Sequence, residues 1–509
     1  MKYFLTLIQL WVGFLSICAS YPKANIWIIP SVESPQVYRN YAQTSKVHLE
    51  MARGEVEHIQ LVFPSKVNEE YRFTFDRYLK GIQISARELK KMNGYYDALV
   101  PFKNQLKCTD TLTAVWITVQ CPSRVPVGKY HQTIKIEGSK HFTIQLDYNV
   151  HHTTIPLKSS IPITVGVENR CMTEGLNDKE ADKERQRWVD FVLSYRMTPV
   201  FGTQITPERW QYEHSFSPWA WNDKRSIRLL NDRRYSCYML PFFTLSENEL
   251  ASLLCNIQKK GKLKESLFYI WDEPAYMEDY EQIKRKVNII RKYASDARIL
   301  TTFFCGPRNG PRKGDLYAVF DYLKHHIHVA TISLAPCKGN EEEVQHIRYK
   351  VPEGIDWWSY VCWQPGGNEP NFLLQMKGIQ QRAVMWRTWK NGSQGFLYWN
   401  CNIYHKRNPF TYITDMPHGD GILIYPGDIL GCKGPIASAR LERWRDGAEE
   451  MELLRLVEKN YSKEKADTLL NIVYSSPLSF IEKAHNIPFF RKELLDQLDK
   501  TIPIDYKLR

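Results

Sequence analysis

Ser266-Leu-Phe-Tyr-Ile-Trp-Asp-Glu-Pro274 is the stretch on which the reading of this 509-residue chain turns. Residues 267–271 form an unbroken aromatic and aliphatic run bounded by charged and turn residues. Such a run reads as a strand buried on both faces. It ends in two adjacent carboxylates, Asp272 and Glu273, and then Pro274. Most Asp-Glu pairs are solvated turn residues. A buried strand that delivers two acids at its C-terminal end is instead how parallel β/α proteins present catalytic groups. Neighbouring side chains of a regular strand face opposite ways. Both acids therefore reach one substrate only if the backbone leaves strand geometry near Asp272. Pro274 favours an extended exit at Glu273.

Outward from that stretch, strand-like runs alternate with helical ones. The strands are predicted at 161–167, 198–202, 235–243, 267–271, 298–304, 328–334, 357–362 and 394–400. Helical segments are predicted at 183–194, 247–259, 276–293, 341–348, 372–389 and 437–458. Eight strands alternating with helices predict a (β/α)8 barrel, with the Asp-Glu pair closing the fourth strand. Residues 21–157 differ in texture. Short β-rich runs at 26–29, 47–51, 59–63, 114–119, 131–136 and 142–148 are separated by turns with no long helix among them, which predicts an antiparallel β-sandwich. The fold class is therefore α/β plus all-β: the sandwich first, then the barrel over 158–509 with C-terminal helices.

The N-terminus begins Met1-Lys2, continues in a largely apolar run over 3–17 and reaches Cys18-Ala-Ser20. This is the pattern of a cleaved secretory signal peptide over 1–20, too short to span a bilayer. The mature chain is then expected to be secreted or in a lysosomal or other endomembrane lumen, without a stable membrane anchor. Ten cysteines follow. Cys108 and Cys121 flank one strand-like segment and are candidates for a disulfide, free buried thiols being the equal alternative. Asn391-Gly-Ser393 and Asn460-Tyr-Ser462 are glycosylation sequons. No cysteine or histidine cluster has metal spacing, so neither a metal nor a cofactor is expected. The net charge of +12 is dispersed: Lys90-Lys91 and Lys259 to Lys264 read as solvated faces. With no nucleic-acid motif beside them, a nucleic-acid partner is not expected.

Two close carboxylates push each other's pKa apart, so that one stays protonated while the other stays charged. That division suits glycoside cleavage. The usual retaining pair flanks the scissile bond, whereas adjacent acids fit substrate-assisted catalysis through a 2-acetamido group. An aromatic content of 13% suits a sugar-binding protein, although most such rings are core. Around the expected barrel mouth, Tyr360, Trp363, Trp399 and Asn400 are the preferred pocket members.

Taken in order, Trp271-Asp-Glu-Pro274, the run 357–363, Gly395-Phe-Leu-Tyr-Trp-Asn400, Gly421-Ile-Leu-Ile-Tyr-Pro-Gly427 and Ala439-Arg-Leu-Glu-Arg-Trp-Arg-Asp446 resemble glycoside hydrolase family 123 and its related uncharacterised catalytic-domain family. Leu49-Glu-Met-Ala-Arg-Gly-Glu55 and Gln60 resemble that family's sandwich domain. The resemblance implies a sandwich followed by a (β/α)8 barrel. It also implies retaining β-N-acetylgalactosaminidase activity on β-linked N-acetylgalactosamine-containing glycans, with Asp272 stabilising the acetamido group and Glu273 as acid/base. The alternative is a non-catalytic glycan-binding protein on the same scaffold.

Overall fold

The computed structural model describes residues 26–76, 81–206, 209–211, 228, 231–404, 409–410 and 418–501. The expected leader at 1–20 lies outside them.

Ten strands build the N-terminal part: β1 (Trp27–Pro30), β2 (Lys46–Arg53), β3 (Glu55–Pro64), β4 (Glu70–Phe75), β5 (Gln83–Met92), β6 (Tyr95–Pro101), β7 (Gln105–Lys107), β8 (Leu112–Cys121), β9 (Gly128–Glu137) and β10 (His141–Thr154). They form two five-stranded sheets, ordered β1-β3-β8-β5-β6 and β2-β10-β9-β4-β7. Alternate residues of the two sheets, among them Leu61, Phe63, Ile117, Ile134, Ile144 and Leu146, interdigitate in one core. Pairing is antiparallel except between β2 and β10, which run parallel. At Gly54 the chain leaves one sheet for the other in a single residue with φ +86°. A Cβ there would lie 3.1 Å from the Ile155 carbonyl oxygen. Sequence reading missed β4 to β7, which are rich in Lys, Arg, Glu and Tyr because half their residues face water.

The barrel strands are β11 (Ile163–Glu168), β12 (Thr198–Thr206), β14 (Tyr238–Met239), β15 (Ser266–Trp271), β16 (Arg298–Phe303), β17 (Val329–Ser333), β18 (Asp356–Val361) and β19 (Phe396–Tyr398), with β13 (Arg209–Gln211) turned back against β12. The eight are parallel and ordered β12-β11-β19-β18-β17-β16-β15-β14. This is the expected eight-stranded barrel, nearly closed. Among the described residues no strand pairing joins β12 to β14. There the Thr198 and Ser236 hydroxyls meet at 2.8 Å, and the Ser236 N–H donates to the Thr198 hydroxyl at 3.1 Å.

Helices α1 (Asp178–Ser194), α2 (Glu247–Lys259), α3 (Met277–Tyr293), α4 (Tyr317–Leu323), α5 (Glu341–Tyr349), α6 (Gly378–Lys390), α7 (Ala439–Asn460), α8 (Lys463–Leu470) and α9 (Ile487–Asp499) surround the sheet and extend it C-terminally. The short α4 was not legible in sequence. α1 and α2 start on reciprocal capping boxes, Asn177 with Glu180 and Ser246 with Glu249. No helix among the described residues is long and apolar enough to cross a membrane.

The sandwich is fastened to the barrel by charge. β3 is buried on both faces, with Glu55 and Glu57 on one face and His58 on the other. Arg491 of α9 reaches Glu55 at 2.8 Å and Glu57 at 2.9 Å. His58 accepts the Trp116 indole N–H on Nδ1 and places Nε2 3.1 Å from Glu442. Arg382 of α6 holds Glu450 and Asp446 of α7. Glu449 accepts the Val56 N–H at 3.0 Å. Burial, reinforced by nearby Glu55, pushes the Glu449 carboxyl up to about 8.

Of the two readings of the cysteines the structure has the free thiols, and one glycosylation sequon changes. All ten cysteines are free thiols, Cys108 and Cys121 included, and burial pushes Cys121 up to about 12. The sequon at Asn391 is fully buried, with its Oδ1 accepting from Gln345, and leaves no room for a glycan, whereas Asn460 is exposed.

Arg382→Ala leaves buried Glu450 with Arg491 at 3.4 Å as its remaining cation and buried Asp446 with His58 at 3.3 Å. We expect a loss of about 3–5 kcal/mol, read from the urea unfolding midpoint. A loss below about 1 kcal/mol would mean that water reaches these carboxylates.

Candidate active site

The two carboxylates arise from a defect in β15. Its pairing with β16 runs Tyr269 to Leu300 and then Trp271 to Thr301, so one residue is extra. Leu267 and Tyr269 face the barrel interior with Leu300, Trp358 and Tyr360. Phe268, Ile270 and Trp271 all pack outward against the helices, where the Lys286 ammonium of α3 lies 5.7 Å from the Trp271 ring centroid. Strict alternation would put Trp271 inside and Asp272 outside. The bulge reverses this and returns Asp272 to the Tyr269 side.

Asp272 Oδ1 accepts the Tyr269 hydroxyl at 2.7 Å and the Thr302 hydroxyl at 2.8 Å. Thr302 also accepts the Glu273 N–H at 3.0 Å, so one hydroxyl fixes both residues. Glu273 has φ +44°, in the left-handed region. The expected extended exit before Pro274 is therefore not adopted. The departure from strand geometry is real, but it turns the chain rather than extending it, a strain that clusters at functional sites. Glu273 Oε1 accepts the Tyr360 hydroxyl.

Both carboxylates touch solvent, yet the protein around them is dense. Burial pushes Asp272 above the usual carboxylate range, against the two hydroxyls that favour its charged form. Burial and then the Asp272 charge push Glu273 up, while Tyr360 and Arg308 pull it down. The Tyr360 phenol is raised far above its ordinary value by burial and by Glu273, so it donates rather than ionises.

The structure brings Asp272, Glu273 and Tyr360 together. Trp363 lies just beyond β18 and is 44% exposed. Trp399 packs against the barrel-interior cluster and donates its indole N–H to Asp420 at 2.9 Å. Asn400 is the correction. It follows inward Trp399, faces the other way, is fully buried, and accepts the Asn402 N–H at 2.9 Å. It shapes the turn after β19. Three residues escaped sequence reading: Tyr269, Thr302 and Asp420. For the first two a signal existed, hydroxyls inside otherwise apolar buried strands. Asp420 is buried and is pushed up to about 6 by that burial, although Trp399 and Tyr398 donate to it. Among the described residues no group of His, Cys, Asp and Glu could hold a metal ion.

A barrel that ends one strand in two carboxylates, one anchored by hydroxyls and the other by a phenol, suits a glycoside hydrolase in form and chemistry. The model of the glycoside hydrolase 123 catalytic domain matches residues 183–457, more than half of the chain. The protein belongs to that family. A family 123 glycoside hydrolase from Clostridium perfringens, studied for glycolipid glycan hydrolysis, shares the fold over 94% of this chain and 97% of its own, at 14% identity and TM-score 0.66. Fainter likenesses are to a GH5 xyloglucanase from Bacteroides ovatus (10% identity, 79% of this chain and 98% of that one, TM-score 0.29) and a GH2 β-galacturonidase from Eisenbergiella tayi (8%, 78% and 90%, TM-score 0.34). No curated protein matches.

Tyr360→Phe removes a donor to the charged form of Glu273, so the Glu273 pKa rises further. pH-difference infrared spectra should show its carboxyl band titrating at higher pH than in the parent, with Glu273→Gln identifying the band. An unmoved band would show that the phenol does not donate.

Proposed function

We propose that this chain is a retaining exo-β-N-acetylhexosaminidase favouring galactosamine, working through the substrate's own 2-acetamido group. The observation that carries the reading is the bulge that sets Asp272 and Glu273 on consecutive residues of one site. Adjacent acids fit catalysis in which the substrate's acetamido oxygen, rather than a carboxylate across the scissile bond, is the nucleophile. Their surroundings also divide the roles. Asp272 is pinned by two hydroxyls that favour its anion, which suits an electrostatic partner. Glu273 is raised by burial and by its charged neighbour, which suits a proton donor.

In the first step Glu273 protonates the leaving oxygen as the glycosidic bond breaks. The acetamido oxygen bonds to the anomeric carbon, and Asp272 accepts a hydrogen bond from the amide N–H and balances the positive charge of the oxazolinium. In the second step Glu273 removes a proton from water, which attacks the anomeric carbon and reopens the ring with overall retention. The natural substrates are then β-linked N-acetylgalactosamine-containing glycans. The leader expected at 1–20 supports a secreted or lysosomal site of action.

The direct test is a panel of 4-nitrophenyl β-glycosides. The galactosaminide should be cleaved fastest, the glucosaminide more slowly and the β-galactoside, which lacks the acetamido group, not at all. Equal cleavage of the galactoside would overturn the mechanism. Glu273→Gln should lose about 10²–10⁴ in rate on a disaccharide but much less on the activated nitrophenyl glycoside. Equal losses on both would remove Glu273 as the acid.

Asp272→Asn should lose about 10²–10³ in kcat, melt close to the parent, and bind a thiazoline analogue of the oxazolinium more weakly. A 2-fluoro sugar trapped covalently on any carboxylate, detected by mass spectrometry, would replace this mechanism with a protein nucleophile.

A further inference from the structure

Between the sandwich and the barrel lies a cleft of about 540 Å³ that the reaction above leaves unused. Tyr41, Tyr95 and Tyr96 line it with Lys377 and Arg443. Tyr95 is 43% exposed at the mouth, and Arg443 is 5% exposed at the base. The Arg443 Nε donates to the Ser31 carbonyl oxygen and its Nη1 to Gln381 Oε1, each at 2.8 Å. Neither partner is charged, and Nη2 donates to no group among the described residues. The arginines beside it in sequence differ. Arg440 holds Asp97 and Arg445 holds Glu442.

Burial without a contacting carboxylate pulls the Arg443 guanidinium down to about 10, still charged at neutral pH. Gly378, the first residue of α6, completes the base. A Cβ there would lie 2.6 Å from Arg443 Nε and 2.4 Å from the Val32 carbonyl oxygen. The helix start can rest on the guanidinium only because this residue is glycine, and it adds its own partial positive charge.

The acids around the cleft are accounted for. Asp97 is neutralised by Arg440 and accepts from Tyr425. Glu33 lies close enough to the Tyr41 phenol to help burial push it up to about 12. Glu482 stands exposed at the rim beside His485. What remains is one buried cation that no carboxylate contacts, with Asp97, Asp446 and Glu33 acting on it only at a distance and its Cζ 5.6 Å from the Trp116 ring centroid, under a set of phenols.

We propose that this cleft binds an acidic sugar residue of a glycan, its carboxylate on Arg443 and its ring against the tyrosines. A guanidinium fork matches a carboxylate in shape and charge. Phenols offer a ring both an apolar face and hydroxyls to bond, and the volume suits one or two monosaccharides. The site is a binding site, separate from the two carboxylates, and does not depend on the mechanism proposed for them.

The experiment is saturation-transfer NMR on the full chain with glucuronic acid and N-acetylneuraminic acid, and glucose as the neutral control. Either acid, or both, should bind and glucose should not. Tyr95→Ala, at an exposed position that does not threaten folding, should weaken binding about fivefold. Arg443→Lys, which keeps the charge but not the fork, should weaken it about tenfold. Tyr95→Ala should leave hydrolysis of the 4-nitrophenyl glycosides unchanged. Binding of glucose as tight as that of the acids, undiminished binding in Tyr95→Ala, or binding of neither acid would each overturn the proposal.

Discussion

The slip between β15 and β16, where Trp271 rather than Ile270 faces Thr301, sets the geometry of the site. A buried strand normally obliges an aromatic at 271 and an acid at 272 to occupy opposite sides of the sheet. The inserted residue lets Ile270 and Trp271 share the outer layer. Asp272 then lands beside Tyr269 and Thr302, and Glu273 follows in a left-handed turn toward Tyr360. The strain at Glu273 is offset locally, because the Thr302 hydroxyl that steadies Asp272 also accepts the Glu273 N–H. Preorganisation here rests on one threonine bonding two consecutive residues.

The scaffold behind the site is held differently. α7 buries Arg440, Glu442, Arg443, Asp446, Glu449 and Glu450 almost completely, so it shows no apolar stripe and solvates no face. Each charge meets an opposite charge or a fixed dipole from another part of the chain, and Arg443, on the Ser31 carbonyl and Gln381, meets dipoles alone. Breaking one partner of such a network costs more than the pair contributes. The sandwich is therefore locked to the barrel by complementarity that tolerates few substitutions, and β3 is the strand through which the locking passes.

Much of this was legible in sequence, for a stated reason. The eight barrel strands are buried on both sides and read as apolar runs, and the helices between them carry ordinary amphipathic patterns and caps. The Asp-Glu pair stood out because it ended such a run. What failed was what pattern alone does not encode. β4 to β7 are half solvated and carry charge. The bulge at Ile270 leaves no mark in composition, so the need for a departure from strand geometry was visible but its form was not. Asn400 was misplaced because a run of aromatics hides which residues point inward. Asp420 lies well beyond the strand whose Trp399 it holds, and only the fold brings them together.

The sheet order leaves the eight parallel strands a ribbon whose last members, β12 (with β13 turned back on its edge) and β14, meet among the described residues through Thr198 and Ser236 rather than through a backbone ladder. A hoop has a circumference fixed by its own hydrogen bonds. A collar with a clasp takes its circumference from what fills it and what encircles it. The bore of this enzyme is thus set by Tyr269, Trp358, Tyr360 and their neighbours inside and by the helices outside. A change of volume at any of those rings would alter the gauge of the whole mouth, including the spacing of groups at strands far from the substitution.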